Sequence, residues 1–222
     1  RFEVASGAAV EASVRDFPSR EHGSLEEIVS RYMDEGGVAV AAAAFGIAGP
    51  IVGRTVRTTN LPWVIDADEM QQSLEIPCVT LLNDLEAVAH GVLELDPSAF
   101  ATLQPVAFGA SGNAVVVAAG TGLGVAGLYW DGSRHRPFAS EGGHVGFGPE
   151  TEQELELLRF MRERHGRVSW ERVASGSAFA DLLAFMEGWR GLKPGAAAAD
   201  RLAAGEEAGV VVSSEAKAGG CE

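Results

Sequence analysis

The run of small apolar residues at 38–48 constrains the fold of this chain more than any other feature. It is too short to cross a bilayer, which takes about 20 residues, and Gly46 interrupts it. A run without polar alternation predicts a strand buried on both faces, as in parallel or mixed sheets covered by helices. This segment therefore favours an α/β fold.

Strand and helix patterns alternate along the rest of the chain. Further apolar strands are predicted at 78–82, 114–119 and 123–130. Helices are predicted to begin at Ser24, Asp66, Asn83, Thr151 and Ser177. Residues 2–14 alternate loosely and predict a hairpin arm, whereas the Ala- and Gly-rich composition beyond Pro194 predicts no definite element. Alternating strands and helices are typical of the α/β class.

Prolines and glycines cluster between predicted elements at 95–112, which favours a domain boundary there. We expect a small α/β domain at 1–95 and part of a larger α/β domain at 96–222. Ligands of such folds bind beyond the carboxyl ends of strands or between domains.

The charge and cysteine content argue against several classes of partner. With 17 Lys and Arg against 31 Asp and Glu, the net charge is −14, which disfavours nucleic acid and anionic membrane surfaces. The two cysteines, Cys78 and Cys221, make no metal or redox spacing, so a reducing cytoplasm is the expected compartment.

An amide and a carboxylate, Asn83 and Asp84, leave the predicted strand at 78–82 together. A sugar hydroxyl needs such a pair, because the carboxylate accepts its proton while the amide both donates and accepts. Both residue types are also common helix N-caps, so a purely structural role stays open from these residues alone.

Two glycine-containing loops follow in the second half. The segment at 119–124 lies between two apolar strands, and its glycines allow successive N–H groups to converge on an anion, although a plain hairpin has the same composition. It is neither a Walker loop nor a dinucleotide fingerprint, because no Gly-Lys-Ser/Thr and no helix follow. Glu141 and His144 flank two glycines and could enter one pocket, while Glu171 lies in the first turn of a short helix.

Taken together and in this order, the motifs resemble the bacterial glucokinases of the hexokinase–actin superfamily. The matching pieces are 45–51 (Phe-Gly-Ile-Ala-Gly-Pro-Ile), Thr59-Asn60 with Trp63, Asn83-Asp84, 120–124 (Gly-Thr-Gly-Leu-Gly), 141–144 (Glu-Gly-Gly-His) and 171–176 (Glu-Arg-Val-Ala-Ser-Gly). The similarity covers about 24–190. It implies a two-domain sugar kinase with the actin-like ATPase, ribonuclease H-like α/β fold.

The resemblance also implies roles for individual residues. Asp84 is expected to be the general base for the sugar 6-hydroxyl, with Asn83 on neighbouring hydroxyls. Glu141, His144 and Glu171 are expected to bind the remaining hydroxyls. The phosphate loop implied by the family is formed by Gly120, Thr121, Gly122 and Gly124.

The implied activity is ATP-dependent phosphorylation of glucose to glucose 6-phosphate, with Mg²⁺ carried by the nucleotide. Family members are commonly dimers, so a homodimer is expected. A zinc site is disfavoured because 146–153 contains no Cys, and no resident metal is expected. The family's first strand with its Asp-x-Gly-Gly-Thr loop and its adenosine-binding segments are not found in this sequence, so we expect a chain truncated at both ends and inactive alone.

Three alternatives stay open from the sequence. The same fold could phosphorylate another hexose, or it could use polyphosphate as the donor. A non-catalytic sugar sensor is the third, although a sensor has no need for a base at Asp84.

Overall fold

The computed structural model describes residues 2–3, 7, 9–37, 39–105 and 112–219. They divide into two units, Arg1–Leu95 and Asp96–Glu222. Each unit mixes strands with helices, as the alternating sequence patterns predicted. No helix within these ranges is long and apolar enough to cross a membrane.

The first unit combines a parallel strand pair with a small antiparallel sheet. Its strands are β1 (Ala43–Ile47), β2 (Ile51–Val52), β3 (Thr55–Arg57), β4 (Val64–Asp66) and β5 (Val79–Asn83). Its helices are α1 (Leu25–Gly36), α2 (Ala67–Ser73) and α3 (Asp84–Val92). Strand β1 pairs in parallel with β5, and β2, β3 and β4 form an antiparallel meander.

The helices of this unit begin where capping side chains satisfy their first N–H groups. The Ser24 hydroxyl accepts from the Glu27 N–H at 3.2 Å, and α1 ends at Gly37 in the left-handed conformation. Asp66 caps α2 by accepting from the N–H groups of Asp68 and Glu69. These starts confirm the predictions made from the Ser/Asp-x-x-Glu spacing.

The run at 38–48 does not form the long, fully buried strand that we predicted. The strand is limited to β1, and its residues alternate between the interior and more exposed positions. Phe45 and Ile47 face a core that includes Met70 and Val79, both almost fully buried. On the other face a Cβ at Gly46 would lie 2.8 Å from the Ala87 Cβ of α3, so the small residues there serve close helix packing. Val38 lies outside the described residues.

The predicted hairpin arm at 2–14 is also largely wrong. The described part holds a single antiparallel bridge between Phe2 and Ala9, followed by a 3₁₀ turn at Glu11–Ser13. Residues 1, 4–6 and 8 of this arm lie outside the described residues. Loose alternation of small residues gives a strand too little apolar surface to pair on.

The second unit is built on a three-stranded antiparallel sheet followed by helices. Its strands are β6 (Ala114–Ala119), β7 (Leu123–Trp130) and β8 (His135–Ser140). Its helices are α4 (Glu152–His165), α5 (Phe179–Arg190), α6 (Ala196–Ala203) and α7 (Ala208–Lys217). The strand order is β6-β7-β8, and the predicted strands at 114–119 and 123–130 are confirmed.

Helix α4 begins with a complete capping box. The Thr151 hydroxyl accepts from the Glu154 N–H, and the Glu154 carboxylate accepts from the Thr151 N–H at 2.9 Å. Helix α5 begins at Phe179 after a 3₁₀ turn at Gly176–Ala178, slightly later than predicted, and its N-cap makes no side-chain bond. Helices α6 and α7, which the sequence did not predict, are joined by Arg201 of α6, which donates to the Ser214 hydroxyl and the Glu215 carboxylate of α7.

Candidate functional site

Asn83 and Asp84 lie where β5 passes into α3, at the carboxyl end of the parallel pair. The Asn83 side-chain oxygen accepts from the N–H groups of Leu85 and Glu86 at 3.1 and 3.3 Å, so Asn83 is the N-cap of α3. Asp84 is the exposed first residue of the helix, and one of its oxygens accepts from the Leu85 N–H at 2.9 Å. The capping interpretation of Asn83 is therefore correct, and its amide NH₂ group makes no hydrogen bond within the described part of the chain.

Glu141 precedes, and His144 ends, a 3₁₀ turn at Gly142–His144 that follows β8. The turn packs closely against β7, since a Cβ at Gly143 would lie only 1.9 Å from the Leu123 carbonyl oxygen. No residue other than glycine fits there, because real Cβ contacts stay beyond 3.0 Å. This contact fixes the loop that carries Glu141 and His144 beside the start of β7.

Backbone pairing brings Glu171 to the same place although α4 separates it from His144 in sequence. The Phe147 N–H donates to the Val168 carbonyl at 3.1 Å, and the Trp170 N–H donates to the Val145 carbonyl at 3.0 Å. The rings of Phe147 and Trp170 pack edge to face at 5.0 Å. Glu171 then follows in the 3₁₀ turn Trp170–Arg172.

The three side chains form a cluster around the His144 ring. The distance from His144 Nε2 to Glu141 Oε2 is 3.8 Å, and that from His144 Nδ1 to Glu171 Oε1 is 3.7 Å. Both distances exceed a hydrogen bond, so these atoms keep capacity to bond a ligand. The side chains are 71%, 55% and 29% exposed for Glu141, His144 and Glu171, respectively, so hydroxyl groups can reach them.

Glu171 also contacts the glycine loop at 120–124. Its Oε2 accepts from the Leu123 N–H at 3.0 Å, across 48 residues of sequence. One carboxylate thus connects the cluster with His144 to the loop between β6 and β7.

The peptide groups of the glycine loop are oriented by backbone hydrogen bonds. The Gly120 carbonyl accepts from the Gly176 N–H at 2.7 Å, and the Thr121 carbonyl accepts from the Ser177 N–H at 3.2 Å. In a planar trans peptide the carbonyl and the next N–H point in opposite directions. The N–H groups of Thr121 and Gly122 therefore point away from the Ser175–Ser177 turn, and neither has a partner among the described residues.

A cavity of 1040 Å³ opens beside this loop, within the second unit. Its lining includes Gly120, Thr121, Ser175, Gly176, Gly209 and Lys217. The volume is at the upper end of what cofactor-sized ligands occupy, about 300–1,000 Å³. No group of three or more potential metal ligands is found in the ranges that the structure describes.

The Ser175–Ser177 turn is a feature of the candidate site that the sequence did not predict. Ser175 and Gly176 belong to the motif at 171–176, but the sequence predicts no role for their backbone. The available signal was a Ser-Gly pair between a short turn and a helix, which does not reveal which distant carbonyl groups it bonds.

A family model for glucokinase matches residues 1–220 of the chain. The chain belongs to the glucokinase family. A curated glucokinase from Nostoc sp. is 39% identical over 146 residues, which are 65% of this chain and 43% of that protein. The chain therefore spans less than half the length of this relative.

Solved glucokinases share the fold. The crystal structure of a glucokinase from an Antarctic psychrotroph matches with a TM-score of 0.73 and 27% identity, over 92% of this chain and 65% of that one. A glucokinase from Balamuthia mandrillaris, solved in complex with glucose, matches with a TM-score of 0.57 and 23% identity, over 81% of this chain and 56% of that one. The predicted α/β sugar-kinase fold class is thereby confirmed.

Proposed function

We propose that this glucokinase family member transfers the terminal phosphoryl group of ATP to the 6-hydroxyl of glucose, giving glucose 6-phosphate and ADP. The observation that carries the proposal is the position of Glu171. Its carboxylate lies 3.7 Å from His144 and accepts from Leu123 of the glycine loop, so the cluster proposed to bind the sugar adjoins the loop proposed to bind the phosphoryl group.

Glu141, His144 and Glu171 are proposed to bind the ring hydroxyls of the sugar. Carboxylates accept hydrogen bonds from hydroxyls, and imidazole can donate or accept, so the cluster complements a polyol. A site built on several such bonds discriminates strongly, because an analogue lacking one hydroxyl leaves a polar group unpaired. Asn83 is proposed to contribute its amide NH₂ group, since its oxygen is engaged by α3.

Asp84 is proposed to be the general base. As the 6-hydroxyl oxygen attacks the terminal phosphorus, its proton passes to the Asp84 carboxylate and the bond to the leaving ADP oxygen breaks. Asp84 is exposed, and its carboxylate makes only a short-range bond to Leu85, which supports access to a ligand. The transition state of phosphoryl transfer is loose, so a base of ordinary strength suffices.

The N–H groups of Thr121 and Gly122 are proposed to bind the transferred phosphoryl group, within the loop that also includes Gly120 and Gly124. Preorganised backbone donors stabilise charge without reorganising during the reaction. The nucleotide would bring Mg²⁺, which usually binds phosphates and water and needs no dedicated protein cage. Lys217 lines the adjoining cavity and would place a positive charge near a nucleotide bound there.

Substitution of Asp84 by Asn tests the proposal. In a protein that contains this chain and spans the full length of its relatives, we expect Asp84→Asn to lower kcat by about 10²–10⁴-fold, the usual contribution of a general base, while the Kd for glucose stays within a few-fold. A coupled assay of ADP formation and calorimetric titration with glucose measure the two quantities. Glu86→Gln, in the first turn of the same helix, is the control and should retain activity. Full activity in Asp84→Asn would refute the assigned base.

Two other substrate choices are separated by a panel of sugars and donors. The proposal predicts the highest kcat/KM for glucose with ATP. A higher value for mannose or fructose, or for polyphosphate as donor, would replace glucose or ATP in the proposal and leave the residue roles intact.

A non-catalytic sugar sensor would bind glucose without forming ADP, and Asp84→Asn would leave its function unchanged.

A homodimer is proposed from the family resemblance, to be tested by analytical ultracentrifugation. Because the proposed reaction consumes ATP, the cytoplasm is the proposed compartment of the protein.

A further inference from the structure

Helix α7 makes an unusually close backbone approach to the turn that holds the glycine loop. A Cβ built on Gly209, near the start of α7, would lie 2.8 Å from the Gly176 carbonyl oxygen and 3.3 Å from the Gly176 Cα. Real Cβ atoms essentially never lie within 3.0 Å of a backbone atom, so any other residue at 209 would have to displace one of the two segments.

The same kind of contact connects Gly176 to the glycine loop. A Cβ on Gly176 would lie 2.9 Å from the Gly120 carbonyl oxygen, which already accepts from the Gly176 N–H at 2.7 Å. Three backbone segments are thus stacked in contact, with Gly209 on Gly176 and Gly176 on Gly120. Displacement of the middle segment moves the hydrogen bonds that orient the Thr121 and Gly122 peptides.

Helix α7 is anchored by contacts that do not involve the turn. Val211 of α7 is completely buried, and Arg201 ties α7 to α6 through Ser214 at 2.7 Å and Glu215 at 3.0 Å. The Ser175–Ser177 turn has no regular element of its own besides a single 3₁₀ turn. A side chain at 209 that leaves α7 in place would therefore displace the turn.

We propose that Gly209 is a positioning residue for phosphoryl transfer. Through Gly176 it sets the direction of the Thr121 and Gly122 N–H groups toward the phosphoryl group. The inference rests on the proposed function for its kinetic consequence, but the structural link between Gly209 and the loop can be measured without any activity.

The test compares Gly209→Ala with Gly188→Ala. Gly188 lies in α5, and a Cβ built on it meets nothing within 4 Å, so it controls for a helical Gly→Ala change. In ¹⁵N-labelled chain we expect Gly209→Ala to shift the amide resonances of Thr121 and Gly122, and Gly188→Ala to leave them in place. In a kinase assay of a protein that contains this chain and spans the full length of its relatives, we expect Gly209→Ala to reduce kcat/KM for ATP by about tenfold or more, since misplacements of about 1 Å can cost 10²-fold.

The division between the two substrates separates positioning from general damage. The KM for glucose should stay within about twofold, because Gly209 does not contact Glu141, His144 or Glu171. A variant that is merely destabilised would instead lose activity equally for both substrates, or would lose none once it is folded. Either result would overturn the inference. Unchanged Thr121 and Gly122 resonances would overturn it as well. If a protein that contains this chain and spans the full length of its relatives neither binds ATP nor phosphorylates glucose, the proposed function fails, whereas the amide shifts still decide the role of Gly209.

Discussion

The two oxygens of the Glu171 carboxylate contact two different parts of the candidate site. Its Oε1 lies near His144, whereas its Oε2 accepts from the Leu123 N–H. The family resemblance predicted that Glu171 binds a sugar hydroxyl. The contact with Leu123 was not predictable, because nothing in the sequence indicates which distant N–H a first-turn Glu accepts from.

Substitutions of Glu171 separate its two contacts. Glu171→Gln keeps an oxygen for the Leu123 N–H, so we expect it to raise the KM for glucose and leave the KM for ATP nearly unchanged. Glu171→Ala leaves that N–H without its partner, which costs about 1–3 kcal/mol, so the KM for ATP should rise about tenfold as well. Steady-state kinetics with each substrate varied measure both effects.

Glu141→Ala is the matched control for this prediction. Glu141 lies near His144 but makes no bond to the glycine loop among the described residues, so its loss should affect the KM for glucose alone. Equal KM values for ATP in Glu171→Gln and Glu171→Ala would rule out the role assigned to the Leu123 contact.

At the scale of single elements, the turn between β7 and β8 depends on one carboxylate. Asp131 accepts from the N–H groups of Ser133 and Arg134, each at 2.9 Å, and from Arg136 Nε at 2.6 Å. The backbone bond to Arg134, followed by the bonds to Ser133, holds the pKa of Asp131 well below its ordinary value of 3.8. The ionised form is therefore favoured by the folded chain.

This lowered pKa predicts a specific dependence of stability on pH. A group with a depressed folded-state pKa contributes its stability above its unfolded value, and the contribution is lost as pH falls through the folded value. We expect Asp131→Asn to lower the Tm at pH 7, and the difference from wild type to shrink below about pH 3.8, the ordinary value. Thermal unfolding followed by circular dichroism between pH 7 and 2 measures this difference.

The exposed Asp34 of α1 provides the control, since its carboxylate makes no hydrogen bond or ion pair within the described ranges. Asp34→Asn should leave the Tm nearly unchanged at every pH. A Tm difference for Asp131→Asn that stays constant down to pH 2 would show that the charge of Asp131 does not stabilise the turn.

Elements with strong local determinants were predictable from the sequence, and those without were not. Helix α4 carries a complete capping box at Thr151, and β6 and β7 are apolar runs bounded by glycine. By contrast, the N-cap positions of α6 and α7, Gly195 and Glu207, make no side-chain capping bond. Their stability comes from tertiary contacts such as those of Arg201, which no local pattern encodes.

The residues proposed for the site came from the sequence, but their geometry could not be predicted from it. The Glu141, His144 and Glu171 positions followed from the family motifs. Their approach depends on the pairing of 145–147 with 168–170 across the whole of α4, and that pairing has no sequence signature. The strand predicted at 38–48 was too long and too fully buried. Its small residues allow close helix packing on one face, and the sequence pattern does not show this tertiary contact.

On the scale of the whole molecule, the segment that follows Leu95 is exposed throughout the part that the structure describes, up to residue 105. All residues at 93–105 are exposed, Leu103 is 97% exposed, and the two units divide at Leu95 and Asp96. We expect brief chymotrypsin digestion to cut first after Phe100 or Leu103, because exposed segments outside regular elements are preferred sites.

Mass spectrometry of the earliest fragments measures this order of cleavage. Each fragment should retain its own secondary structure by circular dichroism, as expected for two separately packed units. First cuts within β6, β7 or β8 would argue against the proposed boundary.

The central claim is that one hexose is bound by Glu141, His144 and Glu171 and activated by Asp84. A crystal structure of the protein with glucose tests it most directly. We predict ring hydroxyls within hydrogen-bonding distance of Glu141, His144 and Glu171, and the 6-hydroxyl about 2.6–3.2 Å from an Asp84 oxygen. Glucose bound away from these side chains, or with its 6-hydroxyl out of reach of Asp84, would overturn the assignment.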